Sequence, residues 1–133
     1  MIEPNAETLI EARNVQKRYK IGARDLEVLR DVNLRVTAGE FVALRGASGA
    51  GKSTLLHLLG GLDRVNGGSI LFKGSDLSRF PGMELARWRN LKVGLVFQAY
   101  HLFPELNALE NVCLPARMAR IPVEQALPRA REL

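Results

Sequence analysis

An α/β fold with an appended antiparallel β layer is what this 133-residue sequence predicts, and three observations predict it. Apolar and polar residues alternate in the N-terminal third. A glycine-rich loop joins an unbroken apolar run to a helical repeat. A second unbroken apolar run follows further along the chain.

Val32, Leu34 and Val36 alternate with Asn33, Arg35 and Thr37, the period of a strand with one wet face, which belongs to an antiparallel layer. After a turn at Ala38-Gly39, the run Phe41-Val42-Ala43-Leu44 predicts a parallel strand buried on both faces. From Lys52 onward Leu55, Leu58, Leu59 and Leu62 fall on one face of a helix, whose last turn Gly60 and Gly61 weaken. Asn66-Gly67-Gly68 marks a turn into a strand over Ser69 to Lys73, closed by Gly74. Pro81-Gly82 precedes a short helix over Met83 to Asn90. Val93 to Phe97 is the second buried strand, and it ends in the polar Gln98. Leu106 to Met118 and Val123 to Leu133 are helical in part, with Pro115, Pro122 and Pro128 expected to interrupt them.

Composition narrows the function. The apolar content of 47% suits a packed core and argues against a disordered or fibrous chain. Apolar stretches are far shorter than the ~20 residues a membrane-spanning helix needs. Met1 to Thr8 carries Glu3 and Glu7 and lacks the basic start and apolar run of a secretory signal, so a cytoplasmic location is expected. Cys113 is the single cysteine, which excludes an internal disulfide and a cysteine metal cage and leaves it as a small core residue. The net charge of +5 would suit polyphosphate, anionic lipid or nucleic acid. Nucleic acid is not expected, because the clusters Arg13, Lys17, Arg18, Lys20, Arg24 and Arg117, Arg120, Arg129, Arg131 have no interleaved aromatic ladder.

The strongest motif is Gly46-Ala47-Ser48-Gly49-Ala50-Gly51-Lys52-Ser53, which fits G-x-x-x-x-G-K-[ST] between a predicted strand and a predicted helix. Such a loop curls so that its backbone N–H groups point inward, at approach distances a β-carbon would obstruct. Together with the positive end of the following helix they form an anion site. Lys52 supplies a point charge for the β and γ phosphates, and the Ser53 hydroxyl can ligate a bridging Mg²⁺. Ser48 and Thr54 are supporting hydroxyls. The P-loop NTPase (RecA-like) core follows from this motif and its flanking elements.

With Gly39-Glu40-Phe41-Val42-Ala43-Leu44 before the loop and Leu55-Leu56-His57-Leu58-Leu59-Gly60-Gly61-Leu62-Asp63 after it, the sequence resembles an ABC transporter ATPase over nearly its whole length. Leu59-Gly60-Gly61-Leu62-Asp63 and Ala108-Leu109-Glu110-Asn111-Val112, followed by Pro115, are similar to the lipoprotein-releasing and macrolide-exporter group. The resemblance implies ATP and Mg²⁺ as ligands, membrane permease subunits as partners, and a second ATPase domain paired head to tail. Extraction or export of a lipoprotein, lipid or hydrophobic compound at the cytoplasmic face of the inner membrane is the activity it implies. It assigns Gln98 to the loop that touches Mg²⁺ and reports nucleotide state. It assigns Tyr19 to stacking on adenine, against the alternative of a half-buried tyrosine on the β layer. Tyr100, His101, Leu102 and Phe103 become candidate contacts to a permease, against a loop folded onto its own helical subdomain. His57, off the leucine stripe, is structural or solvent-facing. Arg45 departs from the apolar residue that often precedes the first glycine.

A second departure is larger. Hydrolysis needs a carboxylate on Mg²⁺ and a second to orient water. The resemblance places both after Gln98 at the end of an apolar strand, yet no aspartate follows Asp76. The signature segment and the switch histidine are also missing. Residues 1–133 are therefore expected to be the N-terminal portion of the domain, carrying Walker A and the Gln98 loop, with the start of a helical subdomain. Strands that would lie between Phe41–Leu44 and Val93–Phe97 are expected to be absent, leaving unpaired edges and a marginally stable chain that does not turn over ATP. Alternatives are a nucleotide-binding module without hydrolysis, and a soluble ABC protein of translation or DNA repair.

Overall fold

A computed structural model describes residues 7–133, so Met1 to Ala6 of the N-terminal stretch lie outside the described residues. The chain forms two compact units, the first reaching Leu85 and the second starting at Ala86.

The first unit is built on a four-stranded antiparallel sheet in the order β2-β1-β3-β4. Strands β1 (Thr8–Ile21) and β2 (Arg24–Thr37) form a long hairpin. The expected alternation places Val32, Leu34 and Val36 opposite Val15, Ala12 and Ile10, so apolar side chains meet across the ladder. The register slips between Ala12 and Val15, beside Asn14 at φ 47°, which faces Asp31 at φ 49°. These residue types tolerate the left-handed region, and a hydrogen bond from Asn14 Nδ2 to Asp31 Oδ1 (2.6 Å) ties the two together.

β3 (Gly67–Phe72) pairs with β1 on one side and with β4 (Ser75–Asp76) on the other. Lys73 and Gly74 both have positive φ, 48° and 80°, as a two-residue hairpin turn that follows the strand twist requires. A short 3₁₀ turn at Leu77–Arg79 follows, with the Asp76 carboxylate accepting from the Ser78 N–H.

Helix α1 (Lys52–Leu59) buries Leu55 and Leu58 as the leucine stripe predicts. It ends earlier than the stripe does. Gly61, at φ 67°, donates to the Leu58 carbonyl and Leu62 donates to that of His57, a Schellman closure that places Leu62 beyond the helix and partly exposed. Ala12, Val15, Leu29, Leu55, Leu58, Ile70, Leu77 and Leu85 make the core of this unit.

Helix α2 (Gly82–Lys92) crosses from the first unit into the second. In the second unit, α3 (Ala108–Met118) and α4 (Val123–Glu132) match the predicted helical spans closely. The Asn107 side chain accepts from the Glu110 N–H while the Glu110 carboxylate accepts from the Asn107 N–H, a reciprocal cap that starts α3. Pro122 stands at the N-cap of α4, but Pro115 and Pro128 sit inside helices they were expected to interrupt. Both are exposed, where water can meet the carbonyl that loses its helical donor. Cys113 is half-buried rather than enclosed in a core.

Two expected strands do not form. Neither Phe41–Leu44 nor Val93–Phe97 pairs with another segment among the described residues, and Phe41 and Val96 are 95% and 102% exposed. A parallel strand exists only through the ladder it shares with neighbours, so an apolar run without one stays irregular.

Candidate functional site

The loop from Gly46 to Thr54 opens directly into α1. Gly49 and Gly51 take φ of 79° and 83°, which an L side chain rarely adopts. They need glycine for different reasons. A β-carbon on Gly49 would meet open space, whereas one on Gly51 would lie 2.6 Å from Leu29 Cδ2 and 3.1 Å from the Val28 carbonyl oxygen. Gly51 therefore serves both the curl of the loop and its close seat on β2.

Gly51 is also the N-cap of α1, and it offers no side-chain acceptor to the first turn. No acidic residue stands in that turn either. The helix thus begins with backbone donors and a positive dipole end that no carboxylate of its own cap or first turn answers, the condition for holding an anion. Lys52 Nζ donates to the Gly46 and Ala47 carbonyls at 2.9 and 2.7 Å, arching over the loop with one N–H left for a ligand. Ser53 is exposed beside it. Val28, Ser48, Gly49, Gly51, Lys52, Ser53 and Thr54 line an open cavity of about 340 Å³, within the usual size range of small-molecule sites. Ala50 bonds back to the Ala47 carbonyl through its N–H at 3.2 Å, tightening the loop. Val28 was not legible as a site residue, because it arrives from β2 across a sequence gap that no local pattern bridges.

Tyr19, on β1, does not line this cavity. It is half-buried and tied on several sides. Its hydroxyl donates to Asp63 Oδ2 at 2.8 Å, with the Thr54 side chain close enough to act on it. The Lys17 ammonium lies 4.8 Å from the ring centroid. Lys17 is 7% exposed, the one buried charged residue among the described residues, and Nζ donates to Asp63 Oδ1 and to the Arg64 carbonyl, each at 2.7 Å. Burial alone pushes the Asp63 carboxyl up, but the hydrogen bonds from Lys17, Tyr19 and the Arg64 N–H outweigh it and hold the group below its ordinary value. Burial and then the Asp63 bond push the Tyr19 hydroxyl up, against a smaller lowering from Thr54. Sequence reasoning gave Lys17 and Asp63 no role at the site, since they lie 46 residues apart.

Gln98 lies in the second unit, exposed and just past the unpaired Phe97. The segment after it is shaped by Asn111, whose Nδ2 donates to the Phe103, Leu106 and Asn107 carbonyls while its Oδ1 accepts from the Phe103 N–H. Tyr100, Leu102 and Phe103 remain exposed, and His101, at φ 50°, packs edge-on against Phe97 at 4.9 Å. Among the described residues no group of His, Cys, Asp or Glu could by itself hold a metal ion, and no helix is long and apolar enough to cross a membrane.

Residues 29–132 match the ABC transporter family. The chain is 47% identical over 126 residues to the lipoprotein-releasing system ATP-binding protein LolD of Geobacter metallireducens, covering 95% of this chain and 56% of that protein. Identity to the macrolide export ATP-binding/permease protein MacB of Nitrosomonas europaea is 47% over 134 residues, 100% of this chain and 20% of that protein. A dimeric ATP-binding cassette in a post-hydrolysis state bound to ADP and Pi superposes with a TM-score of 0.85 at 38% identity, over 93% of this chain and 55% of its own. The chain thus spans about half the length of the LolD relative and of the solved cassette, and a fifth of MacB.

Proposed function

The chain belongs to the ABC transporter family, and from that premise we propose that its 46–54 loop holds the phosphates of ATP for a transport ATPase. The observation that carries this reading is the uncapped start of α1, with Lys52 arched over a glycine curl and no acid in the first turn. Phosphate oxygens answer the backbone donors there, and Lys52 moves from the Gly46 and Ala47 carbonyls to the β and γ phosphates.

Magnesium suits this donor set as a passenger of the nucleotide. The ion takes oxygen ligands, keeps several waters and relies on substrate phosphates more than on a protein cage. Ser53, exposed at the loop, offers one neutral oxygen. When bound, Mg²⁺ neutralises charge on the β and γ phosphates. Tyr19 stacks on the adenine ring. A second cassette faces the loop head to tail, and a permease meets Tyr100 to Phe103, so the protein works peripherally at the cytoplasmic face of a membrane. Relatives named for lipoprotein release and for macrolide and pyoverdine export support a lipoprotein or hydrophobic compound as cargo.

Calorimetry with Mg-ATP tests the core of this reading. Lys52→Ala is expected to abolish measurable binding while circular dichroism stays unchanged; unchanged affinity would overturn it.

A further inference from the structure

Lys17, Tyr19, Thr54 and Asp63 come from three separate parts of the first unit: strand β1, the first turn of α1, and the turn after α1. Their side chains converge on one aromatic ring. The hydroxyl is held at its edge by Asp63 Oδ2 at 2.8 Å, and one side of the ring is taken by the Lys17 ammonium at 4.8 Å. Lys17 is held in turn by Asp63 Oδ1 and the Arg64 carbonyl, both at 2.7 Å. One carboxylate therefore fixes the ring twice, directly through the hydroxyl and indirectly through the ammonium.

The geometry points to Asp63 as a positioning residue for base recognition: it clamps Tyr19 with one face covered by Lys17, so that the other is presented to a flat heteroaromatic ring. This rests on the reading of Tyr19 as the base-stacking residue. Three features favour it over a purely structural ion pair. A buried lysine needs a counter-charge, but that need does not require the carboxylate's second oxygen to reach a tyrosine. Tyr19 stays half-buried despite its anchors, so ring surface remains for a ligand. Thr54 lies beside the Tyr19 hydroxyl and lines the phosphate cavity, which sets the ring next to the residues that hold the phosphates. A nucleotide needs just such an aromatic plate next to an anion cradle. A tyrosine free to rotate would lose entropy on stacking, and a clamped one has already lost it.

The test compares Mg-ATP with inorganic tripolyphosphate, which has the phosphates and no base, by calorimetry on the full chain. Asp63→Ala is expected to weaken Mg-ATP about fivefold to tenfold, the scale of one lost base-stacking contact, and tripolyphosphate by no more than about twofold. Tyr19→Phe, which removes only the hydroxyl and leaves the Lys17–Asp63 pair, is expected to show the same selective loss in smaller measure. The double variant should lose less than the two single losses combined, because both act on one contact. Equal weakening of both ligands in Asp63→Ala would show a general structural role and overturn the proposal. Should Asp63→Ala fail to fold, Tyr19→Phe decides, and an unchanged preference for Mg-ATP there overturns it. Tyr19→Ala separates the two layers of inference. If it leaves the preference for Mg-ATP intact, base stacking itself is wrong, whereas loss in Tyr19→Ala with silence in Asp63→Ala and Tyr19→Phe removes only the clamp.

Discussion

Strand β3 and the segment Val93–Phe97 are both short apolar runs, yet only the first is a strand. β3 has a partner on each side, with Ile70 opposite Ala12 on β1 and Leu71 opposite Asp76 on β4. Val93–Phe97 has no ladder among the described residues, and its Val96 stands fully in solvent. An apolar run states a need for burial; the neighbour that satisfies it is supplied elsewhere in the chain or assembly. The phosphate loop is different again, because its curl is built from its own glycines, its own carbonyls and the helix that follows.

Substitutions inside β3 should break it. A β-carbon on Gly68, at φ 75°, would lie 2.3 Å from the Arg13 and Asn14 carbonyl oxygens, which are backbone atoms of the partner strand. Gly68→Ala is expected to cost about 4 kcal/mol, combining left-handed strain with overlap, read from urea denaturation midpoints. Ile70 is 3% exposed, and Ile70→Ala should cost about 3 kcal/mol in the same assay through lost burial and the cavity left behind.

A smaller effect depends on pH. The Asp63 carboxyl is held below its ordinary value, so its bonds to Lys17 and Tyr19 stabilise the first unit above about pH 4 and are lost as pH falls through the depressed folded value. Denaturation midpoints of the wild type should fall between about pH 6 and pH 3 more steeply than those of Asp63→Asn. Identical slopes would mean that Asp63 titrates in the folded chain as it does in the unfolded one.

The smallest change sharpens the contrast. Val96→Ala, in the unpaired run, should shift stability by no more than about 0.5 kcal/mol. A loss on the scale of Ile70→Ala would show that Val93–Phe97 is packed in solution.

The amino-acid order alone determined those features whose causes lie within a few residues of one another. The glycine curl, the leucine face of α1, the glycine at 74 that closes β3 and the spans of α3 and α4 were legible, since torsion preferences and helical periodicity act over one or two turns. Tertiary structure decided the rest. Lys17 and Asp63 met across 46 residues, Val28 entered the phosphate cavity from β2, and two apolar runs stayed irregular for want of neighbours. Hydrogen-bond ladders and buried charges need a partner placed in space, and no local pattern names which residue that will be.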